Sequence, residues 1–376
     1  MKKISLTLPS LIGGGAERLA LYLADDWIKR GFSVEIVLME RSGELIPLLN
    51  PKVKIINLGA KRIRNVIPLL YKYIKSAKPD VILVGMWPLT SVSIVAWLLT
   101  KKVGKMYVID HNQLSESVLN ELNFSAFYLK YIMKFTYLFS SGIMAVSHGV
   151  KKDLCQLSGI NEKNIKVIYN PAATGVPSNV KVSNNEKIFL WGGEAQYNIL
   201  TVGSLNKQKN HELLIRAFSK ISVKLNAKLI ILGEGRERGN LENLILKLEL
   251  GDRVELAGFN SNPYPWYLTA DLFVLSSNWE GLPTVLIEAL ECGLPIVSTN
   301  CPSGPDEILE NGNYGKLVPM NNVNALSDAI KLSLMEAPHD PSPLTKRAKD
   351  FTIPNISRKY LEYFKLIDKK AGEASD

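Results

Sequence analysis

The feature that most constrains the fold of this 376-residue chain is an alternation of short apolar runs with helical patterns, which occurs twice. Short runs rich in Val, Ile and Leu are typical of strands buried in a parallel sheet. In the first half these predicted strands are Lys3–Leu8, Val34–Met39, Lys54–Asn57, Val81–Val84, Tyr107–Asp110, Ile143–Val146 and Val167–Asn170. In the second half they are Ile199–Gly203, Lys228–Leu232, Val254–Ala257, Leu272–Leu275 and Ile296–Ser298. The alternation predicts an α/β fold of two Rossmann-like, doubly wound parallel-sheet domains that bind ligands at the carboxyl ends of their strands.

A polar stretch, Asn170 to Glu186, separates the two halves and has the Asn, Pro and Ser content of a linker. We therefore predict a first domain over residues 1–180 and a second over residues 181–355. Within the first, residues 81–100 carry no charge over a length that could cross a bilayer. Gly85 and Pro88 interrupt this stretch, which favours a strand, a turn and a buried helix over a membrane span.

Positive charge is concentrated in the first half of the chain. Residues 1–180 hold 23 Lys and Arg against 12 Asp and Glu, a balance of +11, whereas the whole chain has a net charge of +9. This asymmetry indicates an anionic partner for the first domain. No nucleic-acid-binding motif is present, so we expect an anionic membrane surface and no nucleic acid. The three cysteines lack metal or disulfide spacing, which is typical of a reducing cytosol.

The sequence EGLPTVLIEA places two carboxylates, Glu280 and Glu288, on either side of a turn. Pro283 suits the first turn of a helix, which Gly293 then ends. Glu280 is predicted to precede this helix and Glu288 to lie within it. The N–H groups of Gly281 and Leu282 are expected at the positive end of the helix, where a phosphate or a sugar hydroxyl can bind.

This pattern of Glu, seven residues and Glu resembles the signature of the retaining, nucleotide-sugar-dependent glycosyltransferases of family 4. The resemblance extends over most of the chain, through the blocks around Gly13–Gly15, Ser147–Lys151, Lys209 and Ser303–Leu309. It implies a GT-B fold, with two domains facing a central cleft and a C-terminal helix, 356–369, that returns to the first, acceptor-binding domain.

The resemblance also implies roles for particular residues. Glu280, His111 and Lys209 match residues that act on the transferred sugar and the diphosphate, although a lone histidine such as His111 is more often structural. Ser204 stands where the family usually has an arginine that contacts the diphosphate, and Arg236 or Arg238 is a candidate substitute. The other matching donor-site residues are Gly13, Gly14, Gly15, Gly233, Gly235, Gly281, Leu282 and Glu288.

We expect no cofactor and no metal site, because His148, His211 and His339 show no shared metal-ligand spacing and no Asp-x-Asp pair is present. The predicted function is transfer of a sugar from a UDP-hexose or UDP-N-acetylhexosamine to a lipid-linked glycan during surface polysaccharide assembly. The alternatives are a GT-B sugar-nucleotide epimerase, a non-catalytic sugar-binding module and a nicotinamide-dependent dehydrogenase. The last is disfavoured because the glycine loop lacks the G-x-G-x-x-G spacing.

Two segments of the first domain suggest contact with an anionic membrane. Lys61–Lys75 has a basic amphipathic pattern, and Phe124–Phe139 is a lysine-bearing aromatic run that fits either core packing or an exposed surface. Pro68 lies inside the first segment and is expected to bend or interrupt a helix there. We therefore predict a cytoplasmic protein, peripheral on the inner face of the plasma membrane.

Overall fold

A computed structural model describes residues 1–12, 14–117, 126–175, 180–222, 225–336 and 340–368. The chain forms two compact units. Unit 1 comprises Met1–Pro171 together with Ile353–Asp376, and unit 2 comprises Ala172–Thr352. The division after Pro171 falls earlier in the chain than the boundary predicted at 180/181.

Unit 1 contains, within its described residues, a seven-stranded parallel sheet in the order β3-β2-β1-β4-β5-β6-β7. The chain crosses over between β1 and β4, so the sheet is doubly wound. Its strands are β1 Lys3–Leu8, β2 Ser33–Leu38, β3 Lys54–Asn57, β4 Val81–Gly85, β5 Lys105–Asp110, β6 Gly142–Ala145 and β7 Ile165–Val167.

Helices cover this sheet, as its nearly continuous apolar strands require. They are α1 Gly15–Lys29, α2 Val66–Ala77, α3 Leu89–Leu99, α4 Leu114–Ser117, α5 Ala126–Tyr137, α6 His148–Ser158 and α15 Ile353–Tyr363. The last helix packs on the first through the fully buried Trp27, whose ring lies edge-on to Tyr360 and Phe364, with centroids 6.4 and 6.0 Å away. The C-terminal helix is thus part of unit 1.

Unit 2 repeats the arrangement with a six-stranded parallel sheet, in the order β10-β9-β8-β11-β12-β13 among the described residues. Its strands are β8 Tyr197–Val202, β9 Ala227–Leu232, β10 Val254–Gly258, β11 Leu272–Leu275, β12 Ile296–Thr299 and β13 Lys316–Val318. Its helices are α7 Asn184–Trp191, α8 His211–Ser222, α9 Arg238–Lys247, α10 Tyr264–Tyr267, α11 Thr284–Glu291, α12 Pro305–Ile308, α13 Val323–Met335 and α14 Ser342–Ala348. The predicted fold class is confirmed in both units.

Several local predictions need correction. The strand expected at Val167–Asn170 lies earlier, at Ile165–Val167, and the edge strand Lys316–Val318 was not predicted. The end of the predicted linker forms helix α7, which Ser183 and Glu186 start through a reciprocal capping box. By contrast, residues 81–100 divide as predicted into a strand, a turn and a helix, and most but not all side chains of the helix are buried. None of the described helices has both the length and the apolar character needed to cross a bilayer.

The apolar face of the Lys61–Lys75 segment is largely buried, so it is not available for insertion into a membrane. Helix α2 buries Val66, Leu70 and Ile74 beneath exposed basic residues. Tyr73, on the same buried face, donates a hydrogen bond to Glu35 on β2 (2.5 Å). Pro68 falls in the first turn, where a missing N–H is tolerated, so it does not interrupt the helix. The apolar face of this segment therefore packs inside unit 1.

Candidate functional site

Two loops of unit 2 are joined by hydrogen bonds at the carboxyl ends of neighbouring strands. One follows β8 and contains Gln208 and Lys209, and the other follows β11 and contains Ser276 and Asn278. The Ser276 hydroxyl donates to the carbonyl of Lys209 (2.9 Å), and the Asn278 N–H donates to that of Gln208 (2.7 Å). Because the strand order reverses between β8 and β11, these loops occupy the switch point where doubly wound sheets bind ligands.

The loops bring Lys209 and Glu280 together. Lys209 Nζ lies 2.6 Å from Glu280 Oε1, and the two side chains are only 16% and 6% exposed. The lysine side chain passes over Gly203 at the end of β8, where an added Cβ would lie 3.2 Å from Lys209 Cε. The sequence prediction named both residues, and the structure places them in one buried ion pair.

The two carboxylate oxygens of Glu280 have different surroundings. Oε1 accepts hydrogen bonds from the Lys209 ammonium and from the hydroxyl of Ser277, each at 2.6 Å. Oε2 accepts no hydrogen bond from the described residues, and neither do the N–H groups of Gly281 and Leu282 donate one to them. An anchored carboxylate with one available oxygen beside two available N–H donors suits a ligand that both donates and accepts, such as a sugar hydroxyl.

Glu288 lies in α11 and is held by a different partner. The Tyr267 hydroxyl donates to Glu288 Oε2 (2.9 Å), and the buried Tyr267 ring stacks on Phe273, with centroids 5.5 Å apart. Burial, and then the adjacent Glu288 carboxylate, raise the pKa of Tyr267 well above its ordinary value. Tyr267 therefore remains a donor and fixes the orientation of Glu288.

The Gly233–Gly235 turn interlocks with the loop that carries Ser204. Leu205 N–H donates to the carbonyl of Glu234, and Glu237 N–H donates to that of Leu205, both at 2.9 Å. An added Cβ at Gly233 would lie 2.0 Å from the carbonyl oxygen of Gly203. An added Cβ at Gly235 would lie 2.3 Å from the carbonyl oxygen of Leu205. Only glycine allows this approach, which brings the turn directly against Ser204.

Of the two arginines that follow this turn, one already forms ion pairs and hydrogen bonds within unit 2. Arg238 contacts Glu234 (2.9 Å), Glu242 (3.0 Å) and the carbonyl of Leu256 (3.0 Å). Arg236 is exposed and makes no hydrogen bond or ion pair with the described residues. Of the two arginines, Arg236 is therefore the one that remains available to a ligand among the described residues.

The predicted residues of unit 1 lie at the carboxyl ends of its own strands. Gly13 is outside the described residues. Gly14 and Gly15 begin α1 after β1, and an added Cβ at Gly14 would lie 2.5 Å from the carboxylate of Glu17. Burial raises the pKa of Glu17. The Glu17 carboxylate at this loop disfavours a phosphate there unless Glu17 is protonated.

His111 follows β5 and lies against β4. An added Cβ at Gly85 would be 3.0 Å from His111 Nε2, so the glycine makes room for the ring. Burial lowers the pKa of His111 to about 4, against a smaller opposing effect of the Asn170 side chain. The imidazole is therefore neutral at physiological pH, able to donate and accept one hydrogen bond each.

The preceding residue, Asp110, belongs to a buried hydrogen-bonded group. Tyr137 of α5 donates to Asp110 Oδ1 (3.3 Å), and its hydroxyl also pairs with that of Thr90 on α3 (2.8 Å). Burial raises the pKa of Asp110 to about 7. These contacts tie two helices to the strand end that carries His111.

Sequence reasoning missed the partners that hold the predicted residues. Ser277 and Tyr267 orient Glu280 and Glu288, and both act through contacts that local sequence patterns do not encode. Among the described residues, no three His, Cys, Asp or Glu side chains converge in a metal-binding arrangement.

The models of two protein families together match most of the chain. Residues 13–175 match "Glycosyltransferase Family 4", and residues 187–351 match "Glycosyl transferases group 1".

Curated relatives agree with these family matches. The chain is 34% identical over 244 residues to an N-acetylgalactosamine-N,N'-diacetylbacillosaminyl-diphospho-undecaprenol 4-alpha-N-acetylgalactosaminyltransferase of Campylobacter jejuni, covering 64% of each protein. It is 31% identical to an uncharacterized glycosyltransferase of Methanocaldococcus jannaschii, over 76% of this chain and 69% of the relative.

A solved structure shares the fold. Alr3699/HepE of Anabaena, crystallised with UDP-glucose, superposes with a TM-score of 0.81 at 20% identity over 98% of this chain and all of that one. Together, the family matches, the relatives and the two-sheet fold show that the chain belongs to the family 4, group 1 glycosyltransferases of GT-B fold.

Proposed function

We propose that the chain is a retaining glycosyltransferase that moves a hexose or N-acetylhexosamine from a UDP-linked donor to a lipid-linked glycan in surface polysaccharide or glycan assembly. The observation that carries this proposal is the buried Lys209–Glu280 pair at the switch point of the second sheet. The Campylobacter relative supports the acceptor class, because its name specifies a diphospho-undecaprenol-linked substrate. The solved Anabaena structure, which shares the fold, supports UDP as the nucleotide.

In this mechanism the chain stabilises a departing diphosphate. Negative charge grows on the leaving oxygen as the bond to the anomeric carbon breaks, and the Lys209 ammonium is placed to offset it. Glu280, anchored through Oε1, presents Oε2 to hydroxyls of the transferred sugar and stabilises positive charge on its ring. The acceptor hydroxyl attacks the face from which the diphosphate leaves, which retains the configuration, and its proton passes to the departing diphosphate oxygen. Glu288, oriented by Tyr267, binds the ribose hydroxyls.

The proposed location follows from the acceptor class. A lipid-linked glycan is confined to a membrane, so we propose that the protein acts as a peripheral protein on the cytoplasmic face of the plasma membrane. His111, Gly14 and Gly15 in unit 1 are proposed to contact the donor or the acceptor.

The first prediction concerns Lys209 and Glu280. A panel of UDP-hexoses and UDP-N-acetylhexosamines is screened for slow donor hydrolysis by the wild-type chain, and the best donor is then used with the variants. We expect Lys209→Ala and Glu280→Ala each to lower turnover by about 10²–10³-fold, because each removes charge stabilisation from the reacting sugar diphosphate.

Lys207→Ala is the matched control, since Lys207 is an exposed lysine of the same loop. Turnover near that of the wild type in either site variant would remove that residue from the mechanism.

The second prediction separates binding from chemistry. Glu288→Ala is expected to weaken UDP binding more than it slows turnover, because ribose contacts are made equally in the ground and transition states. Tyr267→Phe, which removes the hydroxyl that orients Glu288, is expected to have the same effect to a smaller extent. Calorimetric titration with UDP measures both, and unaltered affinity of Glu288→Ala would contradict the assignment.

The third prediction concerns Arg236. If its guanidinium replaces the cation missing at Ser204, Arg236→Ala weakens UDP binding, and Ser204→Arg in the same chain restores it. Each charge-assisted contact with a phosphate contributes about 1.5–3 kcal/mol, so the loss is expected to be roughly ten- to a hundredfold in Kd. Glu242→Ala, which removes a partner of the neighbouring Arg238, serves as the control. Failure of the second substitution to restore affinity would show that Arg236 acts elsewhere.

The fourth prediction is that turnover needs no added metal, because a lysine and an arginine are available to offset the charge of the diphosphate. Activity is measured after exhaustive EDTA treatment and again with added Mg²⁺ or Mn²⁺. Complete loss in EDTA that either ion reverses would refute metal-independent catalysis.

A further inference from the structure

One surface of unit 1 exposes large apolar side chains from two neighbouring helices and from the turn that follows the second. Phe135 is 66% exposed and Leu99 59%, whereas most side chains of this size are buried in folded proteins. The α3–α5 face is defined by these two residues together with Val95, Ile132, Leu138 and Phe139.

These residues form one face because α3 and α5 lie side by side. The Ser91 and Thr136 hydroxyls lie 3.1 Å apart, and Thr90 pairs with Tyr137, so the helices run antiparallel at this contact. Val95 lies one turn beyond Ser91, and Ile132 lies one turn before Thr136. Side chains four residues apart share one side of a helix, which places Val95 next to Ile132.

The charged side chains that the two helices themselves carry are of one sign. Lys130 and Lys134 are exposed on α5, and Lys101 and Lys102 follow α3. Neither helix contains an acidic residue. An apolar surface whose own helices carry lysines and no carboxylates matches an anionic lipid bilayer, into which aromatic and aliphatic groups insert while the ammonium groups remain at the headgroups.

A second copy of the chain fits this face less well. Symmetric dimers bring the same surface of both subunits together, so the lysines of one copy would meet those of the other. The bilayer gives the apolar residues and the lysines separate and suitable environments.

We propose that the α3–α5 face is the surface through which unit 1 docks on an anionic membrane. The proposal deepens the proposed function and rests on it, since a lipid-linked acceptor is reached only at a bilayer. It also replaces the earlier assignment of docking to Lys61–Lys75, whose apolar face is buried. Because the Tyr137 hydroxyl forms hydrogen bonds with Thr90 and Asp110, the docked helices are connected to the end of the strand that precedes His111.

The test is flotation of the full chain with phosphatidylcholine vesicles, made with and without phosphatidylglycerol. We expect the wild type to float only with the anionic vesicles. Phe135→Ser/Leu138→Ser and Lys130→Glu/Lys134→Glu are each expected to reduce the bound fraction on the order of tenfold or more. Lys72→Glu/Lys75→Glu, an identical change of charge on α2, is the matched control and is expected to retain most binding.

Other results would overturn the proposal. If either α5 double variant binds the vesicles as well as the wild type does, this face is excluded. If the α2 control loses as much vesicle binding as the α5 variants, net charge alone binds the vesicles. A wild-type dimer that Phe135→Ser/Leu138→Ser converts to a monomer, without vesicle binding, identifies a second copy as the partner.

UDP titration of every variant separates the two proposals, and a melting curve of every variant checks folding. Vesicle binding lost with UDP affinity intact is the expected result for the α5 variants. A wild type that binds UDP but no vesicles overturns this inference alone, whereas one that binds vesicles but no donor nucleotide overturns the proposed function alone.

Discussion

The buried ion pair of Lys209 and Glu280 is the interaction on which the arrangement of the second unit depends. Each charge is nearly removed from water, and leaving either one unpaired would cost about 3–5 kcal/mol. The pair forms only if the loops after β8 and β11 are adjacent, which requires the strand order that places these two strands side by side. The fold and the candidate chemistry are therefore linked, because the crossover that makes the sheet doubly wound also brings the lysine to the carboxylate.

Local sequence was sufficient where a residue's own backbone preference decides the structure. The turn and helix of EGLPTVLIEA were predicted because proline suits a helix start and Gly293 adopts a left-handed conformation after the last turn. Lys209 and Glu280 were identified by resemblance, and the structure added their contact. Ser277 and Tyr267 were missed because they act on partners in space, and nothing in a serine or a tyrosine indicates which carboxylate it will meet. Helix α7 was missed although its signal, Ser183 followed by Glu186 at capping-box spacing, was present.

Amphipathic periodicity reveals an apolar stripe but not what covers it. Lys61–Lys75 and Phe124–Phe139 both combine lysines with apolar residues, yet α2 packs its stripe on the sheet whereas α5 exposes a large part of its own. The difference is tertiary: α2 inserts Tyr73 between Ser5 and Glu35, whereas α5 rests on α3 at the outside of the same unit. The segment with the stronger basic pattern was therefore the one with the less available apolar surface.

Folding shifts the pKa values of the neighbouring residues Asp110 and His111 in opposite directions. Folding moves the pKa of Asp110 from 3.8 to about 7 and that of His111 from 6.5 to about 4. By itself, Asp110 would make unit 1 less stable as the pH rises from 3.8 to about 7. By itself, His111 would make the unit more stable as the pH rises from about 4 to 6.5. Between about pH 4 and 6.5 these slopes oppose each other, because on unfolding the carboxyl loses a proton while the imidazole gains one. The strand end that carries His111 thus contributes little net pH dependence to folding, although each of its two titrating groups would contribute strongly by itself.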